Sequence, residues 1–206
     1  GLPGVHAVLT GRELDYKLGL YVVDKDILAK DVVRHFGEAV AAVAADSVQI
    51  ASRAVELIDV GYEVLPAVLD PMEALKPDAA LVRPDLGSYD FVEASFTPQP
   101  GTNVANITKI RKGDLDQGFA EAEWVIEREY TNPSVQHVPL ETHVAIVQWK
   151  IGDEVTIWSS AQSPFTVRSL FSAAMLLPIN QVRVVVPHVG GGFGGKAGIH
   201  IEPLVA

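Results

Sequence analysis

Five of the six residues from Gly190 to Gly195 are glycine, and the sixth is Phe193. No helix or regular strand suits such a run, because each glycine there costs about 0.5–1 kcal/mol of extra backbone entropy. Glycine runs make two things: flexible surface turns, and loops whose backbone approaches a ligand closely and offers it N–H groups. Here Val182–Val186 reads as a buried-type strand that leads into the run, and Lys196 closes it. That setting favours the ligand loop. Lys196 is expected to contribute charge rather than shape, so its removal is expected to be milder than placing a side chain at Gly192.

Two common phosphate motifs fit this loop poorly. Gly190, Gly192 and Gly195 satisfy G-x-G-x-x-G, but that fingerprint opens a domain and needs an acidic residue about 20 positions later. Only eleven residues follow Gly195. A Walker-type loop needs Ser or Thr after its lysine to hold magnesium, and Ala197 stands there.

The rest of the chain reads as an α+β protein in two parts. In residues 1–85, Val5–Leu9 is strand-like, and Glu38–Ala45 is an apolar run followed by the N-cap signal Asp46–Ser47. The spacing of Val48, Ala51, Val55 and Ile58 predicts a helix over 47–59 that Gly61 stops. Tyr62–Pro66 reads as a strand, and Asp70–Pro71 as a helix start. Residues 86–103, with prolines and glycines among polar residues, form the expected linker. In residues 104–206, a short helix over 114–122 precedes an alternating strand pattern at Trp124–Tyr130. Val144–Trp149 and Glu154–Ser159 flank Lys150–Asp153 as a hairpin, and Pro164–Leu177 is helical.

Composition removes several function classes. Sixteen Lys+Arg against twenty-six Asp+Glu leave a net charge of −10, which argues against a nucleic-acid binder relying on clustered cations. No apolar run reaches the ~18–20 residues of a membrane helix. With no cysteine there is no disulfide, thiolate zinc site or cysteine-ligated iron–sulfur cluster in this chain. The opening Gly1–Leu2–Pro3–Gly4 without Met, and the apolar close Ile199–Ala206, are expected to be the ends of a piece or split subunit of something larger.

Several collinear segments carry a family resemblance. Val182–Lys196 resembles the molybdopterin-binding signature of the xanthine dehydrogenase and aldehyde oxidase family. Trp158–Pro164 resembles the family segment whose glutamine lies beside the metal's oxo group, and Gln136–His143 resembles the stretch before the hairpin. Leu2–Val5, Thr10–Gly11, Val33–Glu38 and Tyr62–Val68 resemble its hammerhead domain. The implied architecture is a hammerhead-like α/β domain (1–85), a linker (86–103) and the first part of an α+β molybdopterin-binding domain (104–206).

The resemblance implies roles for matching residues. Gln162 would donate its amide to an oxo group of the metal. Backbone N–H groups of Gly191, Gly192, Phe193, Gly194 and Gly195 would hold the cofactor, and Phe193 would shape the substrate path. No residue of this chain is expected to ligate a metal. The implied cofactor is molybdopterin with molybdenum, with or without an attached nucleotide. Iron–sulfur clusters and FAD would lie on partner chains or other domains. The implied reaction hydroxylates an aldehyde or N-heterocycle with oxygen from water; a non-catalytic cofactor-binding or assembly subunit is the alternative. The family's catalytic base lies downstream of the matched region, outside this chain, so the isolated chain is expected to be inactive. Ala197 stands where purine-acting members carry an acidic residue, which points away from a purine. The expected partners are the rest of the molybdopterin subunit, an iron–sulfur subunit, a flavin subunit and a small-molecule substrate, in the cytoplasm.

Other polar residues are expected to be structural. Glu141 and Glu202 are lone carboxylates. His137, His143, His188 and His200 follow one another at spacings of 6, 45 and 12, which match no helical or hairpin metal pair.

Overall fold

The computed structural model describes residues 1–90, 96–152 and 154–206. The element order is β1 (Val5–Thr10), β2 (Lys17–Leu18), β3 (Lys25–Asp26), β4 (Ala41–Ala45), α1 (Val48–Glu56), α2 (Pro71–Ala74), α3 (Leu115–Glu121), β5 (Ala145–Trp149), β6 (Val155–Ser159), α4 (Pro164–Ala174) and β7 (Val182–Val185). The mixture of helix and sheet matches the α+β class. Among the described residues, no helix is long and apolar enough to cross a membrane.

In the first part, β1 and β4 pair antiparallel, with an irregularity between Val5 and Ala7. Ser47 caps α1 by accepting the Ile50 N–H, and Ala54 is buried on its inner side. The helix ends at Glu56, short of the predicted 59, because the Leu57 N–H turns back to Ala54 O and closes the last turn before Gly61. α2 begins as predicted, with the Asp70 carboxylate accepting the Met72 and Glu73 N–H groups.

Two predicted strands do not form. Tyr62–Pro66 and Trp124–Tyr130 have strand composition, yet neither pairs with another strand among the described residues. Tyr62, Val64, Trp124 and Ile126 are all exposed. A strand needs a neighbour to take its N–H and C=O groups, and composition does not supply one. Residues 91–95 of the expected linker and Asp153 of the hairpin turn lie outside the described residues. The end of the linker is tied back, since the Asn103 amide donates to Ala74 O and Ala80 O.

The second part is built on a three-stranded sheet in the order β5-β6-β7. β5 and β6 form the predicted hairpin, whereas β6 and β7 run parallel and are joined through α4. Ser163 caps α4, and Pro164 occupies its first turn. β6 alternates cleanly, burying Val155 and Ile157 against Phe171 and Val182. A second cluster joins Val167, Ala161 and Ile199 to Leu18 of β2, so the first 85 residues contribute to the core beside α4. Both Gln162 and the glycine loop follow the carboxyl ends of the parallel pair, the place where open α/β sheets bind ligands.

Candidate functional site

The loop folds back over the residues that follow β6. Gly191 and Gly194 have φ values of +94° and +92°, a conformation that strongly favours glycine. Phe193 has φ 51°, which is uncommon for a bulky residue, and its ring lies beside Gly191 with most of its surface exposed. A tight turn closes between Gly195 N–H and Gly192 O at 2.7 Å.

Gln162 is held at three points by this loop. Its backbone N–H donates to Lys196 O at 2.9 Å. Its side-chain Oε1 accepts the Gly194 N–H at 2.9 Å and the Lys196 N–H at 3.2 Å. Two backbone donors on one end of the carboxamide assign that end as oxygen, which turns the NH2 the other way. The Nε2 group finds no acceptor among the described residues. Gly192 packs directly on the carboxamide, since a β-carbon there would stand 2.5 Å from Gln162 Oε1.

The five loop residues named from the sequence therefore divide. The N–H groups of Gly191, Gly192 and Phe193 have no intramolecular acceptor among the described residues, although Gly192 itself is buried. Buried N–H groups are nearly always paired, which makes Gly192 the unusual one of the three. Gly194 and Gly195 spend their N–H groups on Gln162 and Gly192. Those two N–H groups shape the loop from within.

Lys196 corrects the sequence reading more sharply. It is 1% exposed, and its ammonium donates to Glu141 Oε2 at 2.6 Å. The same oxygen accepts the Gly190 N–H at 2.7 Å. The Lys196 ammonium, followed by the Gly190 N–H, holds the Glu141 carboxyl below the usual carboxylate range. From the sequence, a lysine after a glycine loop reads as a charge with no named partner. The available signal was a glutamate and a lysine in the two segments flanking the same hairpin and helix.

Glu202 is likewise engaged inside, accepting Ser159 Oγ–H at 2.6 Å and the His200 N–H at 2.8 Å. Three histidines gather near Gly195 despite their irregular spacing. His137 lies against it, His143 Nε2 is 3.0 Å from Gly195 O, and the His200 ring meets His143 edge-on at 4.7 Å. Burial, then the nearby Lys25 charge and His143, push the His200 imidazole down to about 4. It is therefore neutral at physiological pH.

The site thus offers backbone and amide N–H donors, and the Glu141 and Glu202 carboxylates are taken up by internal partners. Such a surface suits an electron-rich, anionic group, and any side chain at Gly192 would push the Gln162 carboxamide out of place. Molybdopterin fits this donor set.

Comparison with known proteins gives the same class. Residues 96–206 match the molybdopterin cofactor-binding domain, and residues 1–66 match the a/b hammerhead domain of aldehyde oxidase and xanthine dehydrogenase. The chain belongs to the xanthine dehydrogenase and aldehyde oxidase family, within its molybdopterin-binding subunit. It is 35% identical over 209 residues to the carbon monoxide dehydrogenase large chain of Afipia carboxidovorans, covering 97% of this chain and 25% of the relative. It is 34% identical over 205 residues to the probable hypoxanthine oxidase XdhD of Escherichia coli, covering 89% of this chain and 21% of the relative. The crystal structure of the Cu,Mo-CO dehydrogenase in its carbon monoxide reduced state aligns with a TM-score of 0.80 at 34% identity, covering 100% of this chain and 26% of that one. Quinoline 2-oxidoreductase from Pseudomonas putida 86 aligns at 0.76 and 31%, covering 95% and 24%. The chain spans about a quarter of the length of these relatives.

Proposed function

We propose that this chain is the cofactor-holding stretch of a molybdenum hydroxylase that oxidises an aldehyde or N-heterocycle at carbon. The overall change is R–H + H2O → R–OH + 2 e⁻ + 2 H⁺, so water supplies the oxygen and an acceptor must take two electrons. When bound, molybdopterin supplies the molybdenum that draws those two electrons from the substrate carbon.

One observation carries this reading. Gln162 has its oxygen fixed by two loop N–H groups, leaving its NH2 without an acceptor among the described residues, next to the three loop residues whose N–H groups are also unpaired. The Gln162 amide and the N–H groups of Gly191, Gly192 and Phe193 bind and orient the cofactor by donating to its electron-rich face. The exposed ring of Phe193 borders the route by which substrate reaches it. The proton from the attacking water goes to a base outside this chain, because Glu141 and Glu202 are committed to internal partners. With no cysteine here, the iron–sulfur clusters and FAD that would carry the electrons onward would be held by partner subunits or other domains. A cytoplasmic assembly, and molybdopterin with or without an attached nucleotide, complete the proposal.

The test uses the full-length protein produced with its neighbouring subunits. Molybdenum and pterin content is measured first, then dye reduction with a panel of aldehydes and N-heterocycles in ¹⁸O-labelled water. Stoichiometric molybdenum and label in the product are expected. Protein that stays free of molybdenum in cells that load a control hydroxylase would overturn the assignment. Full loading with no turnover of any substrate would favour the non-catalytic alternative.

A further inference from the structure

We propose that Glu141 is a positioning residue that clasps the glycine loop at both of its ends and so aims the loop's unpaired N–H groups. The inference rests on the proposed cofactor role of the loop. A single carboxylate oxygen, Oε2, accepts the N–H of Gly190 at the loop's entrance and the ammonium of Lys196 at its exit. The two ends are thereby pinned to one point.

The surroundings make the clasp rigid. The Lys196 side chain is fully buried, so no water takes over if Glu141 is lost, and among the described residues no other carboxylate pairs with it. Gly190 lies so close that an added β-carbon would stand 2.6 Å from Glu141 Cβ, so the entrance of the loop is seated on the glutamate stem. Glu141 itself is referenced to the sheet. The next residue's carbonyl accepts from Ser160 Oγ, and Ser160 Oγ in turn accepts the Val144 N–H, at the end of β6. The clasp therefore transmits the position of the hairpin to the loop. Gln162 fixes the loop's middle through Gly194, and Glu141 fixes its ends. Between these anchors lie Gly191, Gly192 and Phe193, the three residues with N–H groups to spare.

A buried ion pair could instead serve only to keep two charges satisfied, and the test separates the two roles. In the full-length holoenzyme, E141Q keeps the shape of the clasp but removes its negative charge, so the Gly190 bond becomes neutral and the Lys196 ammonium keeps only an amide oxygen. Amide hydrogen exchange at Gly190, Gly194 and Gly195, the loop residues whose N–H groups have internal acceptors, should then rise about tenfold over wild type. The double variant E141M/K196M removes both charges together, so no buried charge is left unpaired. Its melting temperature should return toward that of wild type, while the loop still exchanges fast and molybdenum and pterin are lost on dialysis. Wild-type loop exchange in E141Q, or wild-type cofactor retention in a folded E141M/K196M, would overturn the clasp. If the double variant does not fold, E141Q exchange alone decides. Loop exchange is read without reference to the cofactor. A wild-type protein that never binds molybdenum would thus defeat the functional reading separately from the clasp.

Discussion

Gln162 accepts the backbone N–H of Gly194 at 2.9 Å, and that bond decides which end of its carboxamide faces away from the protein. With Oε1 also taking the Lys196 N–H, the amide NH2 is the end presented outward. The glutamine thus works as an adaptor, converting two loop donors into one side-chain donor.

Gln162→Ala in the assembled enzyme should lower turnover by about 10²–10³, the usual loss for one donor at an electrostatic site. Gln162→Glu is the sharper variant. It can still accept from Gly194 and Lys196, but it replaces the outward NH2 with a carboxylate oxygen. We expect Gln162→Glu to keep a wild-type melting temperature and lose molybdenum. Steady-state rates and metal content, measured side by side, check both outcomes.

Lys196→Ala should be severe. The substitution empties a fully buried site and strips Glu141 of its ammonium partner. A melting temperature lowered by several degrees and reduced cofactor content are expected, read by calorimetry and metal analysis. An unaltered melting curve would mean that the ammonium is dispensable.

His200 should make the fold sensitive to mild acid. Its folded value lies near 4 against an ordinary 6.5, so the unfolded chain takes up a proton that the folded chain refuses. The stability this provides is present above pH 6.5 and falls away as pH drops from 6.5 towards 4. His200→Asn should flatten that part of the curve, as followed by urea unfolding at a series of pH values.

Glu141 titrates in the same sense but lower. Its depressed carboxyl contributes stability above the ordinary glutamate range, and this is lost as pH falls through the depressed value. E141Q should remove this low-pH component, and unfolding measured below the ordinary glutamate range checks it.

Local signals in the sequence were legible where the chain meets its own neighbours. Ser47 and Asp70 cap the helices their signals announce, and the hairpin of β5 and β6 closes as its alternation predicts. Tyr62–Pro66 and Trp124–Tyr130 misled because strand composition does not reveal whether a partner strand exists. At the site, the glycine loop and Gln162 stood out by residue type. The Glu141–Lys196 pair did not, because it joins residues 55 positions apart and buries a side chain normally found in water. The gathering of His137, His143 and His200 near Gly195 is tertiary too, and spacing along the chain carries no trace of it.

The most direct test of the central claim is the molybdenum and pterin content of full-length Gly192→Val, read beside its melting curve. Gly192 lies against the Gln162 carboxamide, with no room for a side chain. Cofactor content close to zero in a protein that still melts cooperatively is the predicted result. Full cofactor content in the same variant would show that the loop does not hold the cofactor, and would contradict the account.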